Sequence, residues 1–142
     1  MPPPYSSRKN GSNGSTFRIR SFHRQITSVD FDVYALNAEV EQFGEPQFLS
    51  RDERHDLVLL VEELLLLHRG CLSDGVVDIT ISHSEKSRRV EIVVGAPAGP
   101  VSPLDVTDNY GLGVYIVQGL SESIDYRADN GRSRLQVVLK SK

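Results

Sequence analysis

The chain has 142 residues, enough for one domain with a substantial core but too few for two. A formal net charge of −3 argues against a basic nucleic-acid-binding surface, and no apolar run is long enough to cross a membrane. The single cysteine, Cys71, cannot form an internal disulfide, which indicates a reducing, cytoplasmic compartment. Because no Cys/His cluster has the spacing of a zinc site, no metal site is expected.

The amino-terminal segment, residues 1–16, is rich in Pro, Ser, Gly and Asn. Such a composition buries little apolar surface, so this segment is predicted to be a disordered tail. Residues 17–142 are predicted to form one domain. It opens with a strand, because apolar and polar residues alternate from Phe17 to Arg20.

Two helices are predicted next. In the first, residues 28–43, apolar residues recur at three- and four-residue steps: Val29, Val33, Leu36, Val40 and Phe43. Gly44 and Pro46 suit its end. Ser50 and Glu53 have the spacing of a capping box for the second helix, whose apolar stripe extends to His68, with Gly70 as the C-terminal cap.

The apolar period then changes to two. Residues 77–81 and 90–94 predict one hairpin, and residues 124–127 and 135–139 predict another around Asn130-Gly131. A loop rich in Gly, Ala and Pro and a short helix starting near Gly113 separate the hairpins. This order predicts an α+β fold, a two-layer sandwich with a mixed sheet covered on one face by about three helices.

The Gly111-Leu112-Gly113-Val114 segment at the start of that short helix is the first candidate site. Glycines allow a tight turn with free backbone amides, and those amides together with the helix dipole favour a phosphate. A glycine-rich helix start without a ligand explains the same pattern equally well.

Residues 111–120 resemble the second glycine box of the GHKL, or histidine-kinase-like, ATPase superfamily, and the order of elements over residues 17–140 is similar to that of its bacterial anti-sigma-factor serine kinases. The resemblance implies a Bergerat-type fold. It also implies that Gly111, Leu112, Gly113 and Val114 lie beside the phosphates of a nucleotide.

The resemblance implies a second cluster on the second helix, where a catalytic Glu would be Glu63 and a Mg²⁺-binding Asn would fall at Leu67. In a first glycine box, an adenine-reading Asp would fall at Ala96. Neither Leu67 nor Ala96 has an oxygen to offer, so the nucleotide site is expected to be degenerate and no cofactor is expected. For Glu62 and Glu63, a solvated helix edge is the alternative.

The family resemblance therefore implies a noncatalytic regulatory protein. Its partner would be a sigma factor or an anti-sigma antagonist, with a homodimer possible and neither nucleic acid nor membrane expected. Acidic residues around the first helix would complement a basic partner: Asp30, Asp32, Glu39 and Glu41. The alternative is a serine/threonine protein kinase that uses ATP with Mg²⁺ and Glu63 as base. A phosphotransfer platform with His55 or His68 is a third hypothesis. His23, His55 and His83 are predicted to lie on the surface.

Overall fold

The computed structural model describes residues 5–10, 17–47, 49–99, 102–105 and 112–141. Three α-helices and six strands follow one another in this part of the chain: β1 (Tyr5–Asn10), β2 (Phe17–Ile26), α1 (Val33–Gly44), α2 (Arg51–Leu67), β3 (Val77–Ser84), β4 (Arg89–Pro97), α3 (Leu112–Leu120), β5 (Ser121–Asp129) and β6 (Arg132–Leu139). Short 3₁₀ segments lie at Glu45–Gln47, Arg69–Ser73 and Pro103–Asp105.

The strands form one sheet in the order β1-β2-β3-β4-β6-β5, with the helices packed on one face. The predicted α+β two-layer fold is confirmed, but the described sheet is antiparallel rather than mixed. The two helices between β2 and β3 return the chain to the end of the sheet that it left, so Ile26 pairs with Val77. The single helix α3, which connects β4 to β5, leads the chain to the opposite end of the sheet instead. Because β6 lies between β4 and β5, each adjacent pair of strands is still antiparallel.

Part of the segment predicted as a disordered tail is a strand. β1 pairs antiparallel with β2, with Tyr5 opposite Phe22 and Asn10 opposite Phe17, whereas residues 1–4 and 11–16 lie outside the described residues. The edge of β2 offers unpaired backbone groups, and pairing with them requires no apolar side chain. A prediction based on apolar content therefore missed this strand.

Helix α1 begins later than predicted. Asp32 is its N-cap, and its carboxylate accepts a hydrogen bond from the amide of Ala35 at 3.0 Å. Val29 lies in the preceding turn and is exposed, so it does not belong to the apolar stripe. The capping residue decides the start, because its side chain satisfies an amide that the helix leaves free.

Helix α2 has the predicted capping box. The Ser50 amide donates to Glu53 Oε1 at 3.0 Å, and the Glu53 amide donates to Ser50 Oγ at 3.1 Å. The predicted end is wrong, since His68 is the C-cap and Gly70 lies within the 3₁₀ segment Arg69–Ser73.

Both predicted hairpins are confirmed. Inward-facing residues of β3 and β4 alternate with half-exposed ones, as the two-residue period required. Asn130 and Gly131 have φ values of 52° and 76°, the left-handed conformations that a two-residue hairpin turn needs.

The core lies between the helices and one face of the sheet. Its largest fully buried apolar side chains come from β2, α1, α2, β3, β4 and β6: Phe22, Phe43, Leu57, Leu60, Leu64, Ile79, Ile81, Ile92 and Leu135. The rings of Phe22 and Phe43, 6.0 Å apart, join β2 to α1. Among the described residues, no helix combines the length and apolar character needed to cross a membrane.

Candidate functional site

Helices α2 and α3 meet at three residues that the sequence singled out: Glu63, Leu67 and Gly113, here called the α2–α3 junction. A Cβ atom placed on Gly113 would lie 3.2 Å from Oε2 of Glu63 and 3.5 Å from Cδ2 of Leu67. The structure therefore brings together the two motifs that are about fifty residues apart in the sequence.

The geometry of the junction follows from helix periodicity. Glu63 and Leu67 are four residues apart on α2, so they lie on the same face, one turn apart. Helix α3 contributes Val117 to the core, where this side chain is fully buried. Since Gly113 has no side chain, the first turn of α3 approaches the Glu63 carboxylate closely.

The Glu63 carboxyl has a raised pKa, first because it is partly buried and second because the negative charge of Glu62 lies beside it. Within the described part of the chain, Glu63 makes no salt bridge. Glu63 thus lies half-exposed on the helix edge, and its carboxyl holds a proton more readily than a fully exposed one.

Neither Leu67 nor the adjacent His68 can hold a cation at the junction. The half-buried Leu67 packs against the core with a hydrocarbon side chain. His68 is completely buried, its Nδ1 lies 2.7 Å from the Leu64 carbonyl oxygen, and burial lowers its pKa. Its Nε2 has no hydrogen-bond partner among the residues that the structure describes. No group of three or more His, Cys, Asp or Glu side chains suited to a metal occurs in the described residues.

The position at which the resemblance implies an adenine-reading Asp is also closed to a ligand. Ala96 lies on the helix-facing side of β4, fully buried within the core cluster. The Ser133 hydroxyl donates to the Ala96 carbonyl oxygen at 3.2 Å, which ties β4 to β6 at this point. A ligand has no exposed surface of Ala96 to contact.

The rest of the glycine box is only partly in view. Leu112 is exposed at the first position of α3, and Val114 is half-buried. Gly111 lies outside the described residues. The described start of α3 therefore presents the Leu112 side chain to solvent.

The acidic residues expected to face a basic partner mostly have partners within the chain. Glu39 forms a salt bridge with Arg24 at 2.8 Å, and Glu41 forms one with Arg54 at 3.2 Å. Asp32 caps α1. These salt bridges offset part of the negative charge of Glu39 and Glu41, whereas Asp30 and Asp32 are exposed, so the complementarity of this helix to a basic partner stays a prediction.

Histidine placement also differs in part from the prediction. His23 and His55 are exposed as expected, whereas His83 is buried within β3. The buried His68 is unsuited to phosphotransfer, which removes one of the two candidates for a phosphotransfer platform.

A groove that the sequence did not indicate lies between the β2–α1 connection and the C-terminal end of α2. It has a volume of about 840 Å³ and is lined by Thr27, Ser28, Val29, Leu66, Leu67, Arg69, Gly70, Leu72 and Ser73. The sequence pattern assigns Val29 to the first helix, whereas the structure places it in the turn before α1, so no sequence pattern indicates this groove.

Comparison with known proteins adds no family assignment, since no protein-family model and no curated protein matches the chain. The resemblance to the GHKL superfamily therefore stays a prediction from the glycine box and the element order.

Proposed function

We propose that this chain is an anti-sigma-factor-like regulatory protein with a histidine-kinase-like ATPase fold. It acts by binding a protein, and its nucleotide site does not support catalysis. The observation that carries this proposal is the α2–α3 junction, where Leu67 lies against Gly113. A hydrocarbon side chain occupies the position at which the resemblance implies a metal ligand.

The chemistry of Mg²⁺ makes that substitution decisive. This cation takes oxygen ligands in a near-octahedral arrangement, and it neutralises the phosphates during phosphoryl transfer. Leu67 offers no oxygen, and the Glu63 carboxylate beside it has a raised pKa that disfavours its charged form. The buried Ala96 removes polar recognition of an adenine in the same way.

The outward face of α1 supports binding to a protein. Tyr34 is 83% exposed, and the neighbouring Ala35 and Ala38 are exposed on the same side of the helix. An exposed aromatic side chain such as Tyr34 is typical of a protein contact surface. The proposed occupant is a sigma factor, an anti-sigma antagonist or a second copy of this chain.

The test of the nucleotide site is a calorimetric titration of the protein with ATP and Mg²⁺. No heat of binding is expected from the natural protein, and circular dichroism confirms that it is folded. Micromolar binding would overturn the noncatalytic proposal, because it would require metal and adenine ligands at positions other than Leu67 and Ala96.

The α1 surface is tested by sedimentation velocity over a range of protein concentrations. If a second copy is the occupant, Tyr34→Asp shifts the protein towards monomer, whereas Tyr115→Asp, at a similarly exposed site on α3, does not. Equal effects of the two substitutions would count against α1 as the contact. A monomeric natural protein would exclude the second copy and leave the other two partners.

An ATP-dependent serine/threonine protein kinase is the second candidate, favoured by one observation. Glu63 has a raised pKa and lies against the first turn of α3, as a general base beside a phosphate site would. This candidate predicts ATP turnover that Glu63→Gln abolishes and Glu62→Gln retains. Absence of turnover in the natural protein excludes it.

A further inference from the structure

We propose that the groove between the β2–α1 connection and the end of α2 binds a small amphipathic carboxylate, an apolar chain that ends in a carboxylate group. The floor of the groove is apolar, formed by Val29, Leu66, Leu67 and Leu72. Val29 and Leu66 remain substantially exposed, so a ligand would cover apolar surface that now contacts water.

The charge of the groove defines the ligand's polar end. Among the described residues that line it, Arg69 is the only charged one, and none of them carries a carboxylate. Arg69 is exposed and makes no salt bridge within the described residues. A guanidinium group matches the planar geometry of a carboxylate and binds it through two parallel hydrogen bonds.

The hydroxyl groups around the groove hold its walls in place. Ser28 Oγ accepts a hydrogen bond from the Asp30 amide at 3.1 Å, which fixes the turn before α1. Ser73 Oγ donates to the Gly70 carbonyl oxygen at 3.0 Å, which fixes the 3₁₀ segment after α2. These local hydrogen bonds order both walls without a ligand, so little ordering is required when one binds.

The size of the groove fits a small molecule. A volume of about 840 Å³ lies within the range of small-molecule sites, which are also mostly apolar with a few polar groups. Binding here requires neither a nucleotide nor a protein partner, so the inference goes beyond the proposed function and does not depend on it.

The test uses octanoate and octanol as probes, titrated into the full chain and followed by ¹H–¹⁵N chemical shifts. Octanoate is expected to shift amides in the β2–α1 connection and in residues 66–73. Leu66→Ser should abolish these shifts. Leu59→Ser is the matched control, because this leucine lies on the same helix with 39% exposure against 46% for Leu66, yet outside the groove.

Arg69→Gln separates recognition of charge from general apolar binding. We expect it to weaken octanoate binding about tenfold, which corresponds to about 1.4 kcal/mol, and to leave octanol binding unchanged. Arg51→Gln, at the exposed start of α2, should change neither. The proposal is overturned if octanoate causes no shifts at the groove, if Leu59→Ser matches Leu66→Ser, or if Arg69→Gln leaves octanoate binding unchanged.

Discussion

The β3–β4 hairpin and the α2–α3 junction differ in how tightly their side chains are packed. On the hairpin, every inward-facing residue from Val77 to Ile81 and from Val90 to Ala96 is buried. At the junction, a partly buried carboxylate, a half-buried leucine and a glycine meet at the edge of the helix layer. A substitution in the hairpin therefore meets a closed core, whereas one at the junction meets a side chain that can move.

The largest effect is expected from Ala96→Asp, the substitution that would restore an adenine-reading carboxylate. Ala96 is fully buried, so the new carboxyl enters the core without a partner and costs about 3–5 kcal/mol of unfolding free energy. Urea denaturation measures the loss, and Ala98→Asp, just beyond the strand, is the milder control.

For the same reason, the double variant Leu67→Asn/Ala96→Asp is expected to show no ATP turnover. A coupled assay for ADP release on the folded fraction measures it. Measurable turnover would mean that the site needs only those two side chains, contrary to the closed packing at Ala96.

The next effect concerns the apolar side chains of the hairpin. Ile92→Ala removes a fully buried side chain from the centre of β4 and is expected to cost about 2–5 kcal/mol of unfolding free energy. Val93→Ala, on the half-exposed opposite face of the same strand, should cost less than half as much in the same urea titration. Equal losses would show that the helix-facing side is not the core.

A smaller effect separates two glycines of α3. Gly119 has open space around it, so Gly119→Ala should stabilise the protein by up to about 1 kcal/mol through helix propensity. Gly113→Ala should increase the stability of the protein by less, because the new methyl group must displace the Glu63 carboxylate by a few tenths of an ångström.

Thermal unfolding of the two alanine variants in a Glu63→Ala background completes this comparison. Removing the carboxylate should relieve the contact, so the difference between Gly113→Ala and Gly119→Ala should shrink. A difference that persists unchanged would show that Glu63 does not restrict the first turn of α3.

A change of pH should affect the end of α2 next to the junction. Burial lowers the pKa of His68 in the folded chain from the ordinary value of 6.5, so below about pH 6.5 the unfolded chain binds a proton that the folded chain does not. The stability contributed by the neutral ring is complete above that pH and falls as the pH decreases through it.

Urea denaturation at a series of pH values measures this dependence. His68→Gln should flatten the pH dependence, whereas His55→Gln, at an exposed site, should not. The lowered pKa of His83 leaves a residual slope in both variants. NMR titration of the His68 ring in the natural protein gives an independent check, and an ordinary pKa there would contradict the prediction.

The elements that sequence patterns predicted well are those decided by local chemistry. Ser50 and Glu53 form their capping box within one helical turn, and Asn130-Gly131 forms its turn from two residues. The alternation of apolar and polar residues in β3 and β4 identified the buried face, because a two-residue period places all the apolar side chains on the same face of the strand. Glu63 and Gly113 lie close together in the structure and Gly111 lies outside the described residues, so the role of these residues in a nucleotide site stays a prediction.

What the sequence determined by itself was the type and order of the helices and hairpins from residue 17 onward, because caps, turns and apolar periods act over a few residues. Only the tertiary structure decided that β1 pairs with β2, that Glu39 and Glu41 form salt bridges with Arg24 and Arg54, and that Ala96 is buried in the core. Those outcomes depend on which residues distant in the chain become neighbours. Burial and salt-bridge formation depend on which residues surround a side chain in the folded chain, and a local sequence pattern does not contain that information.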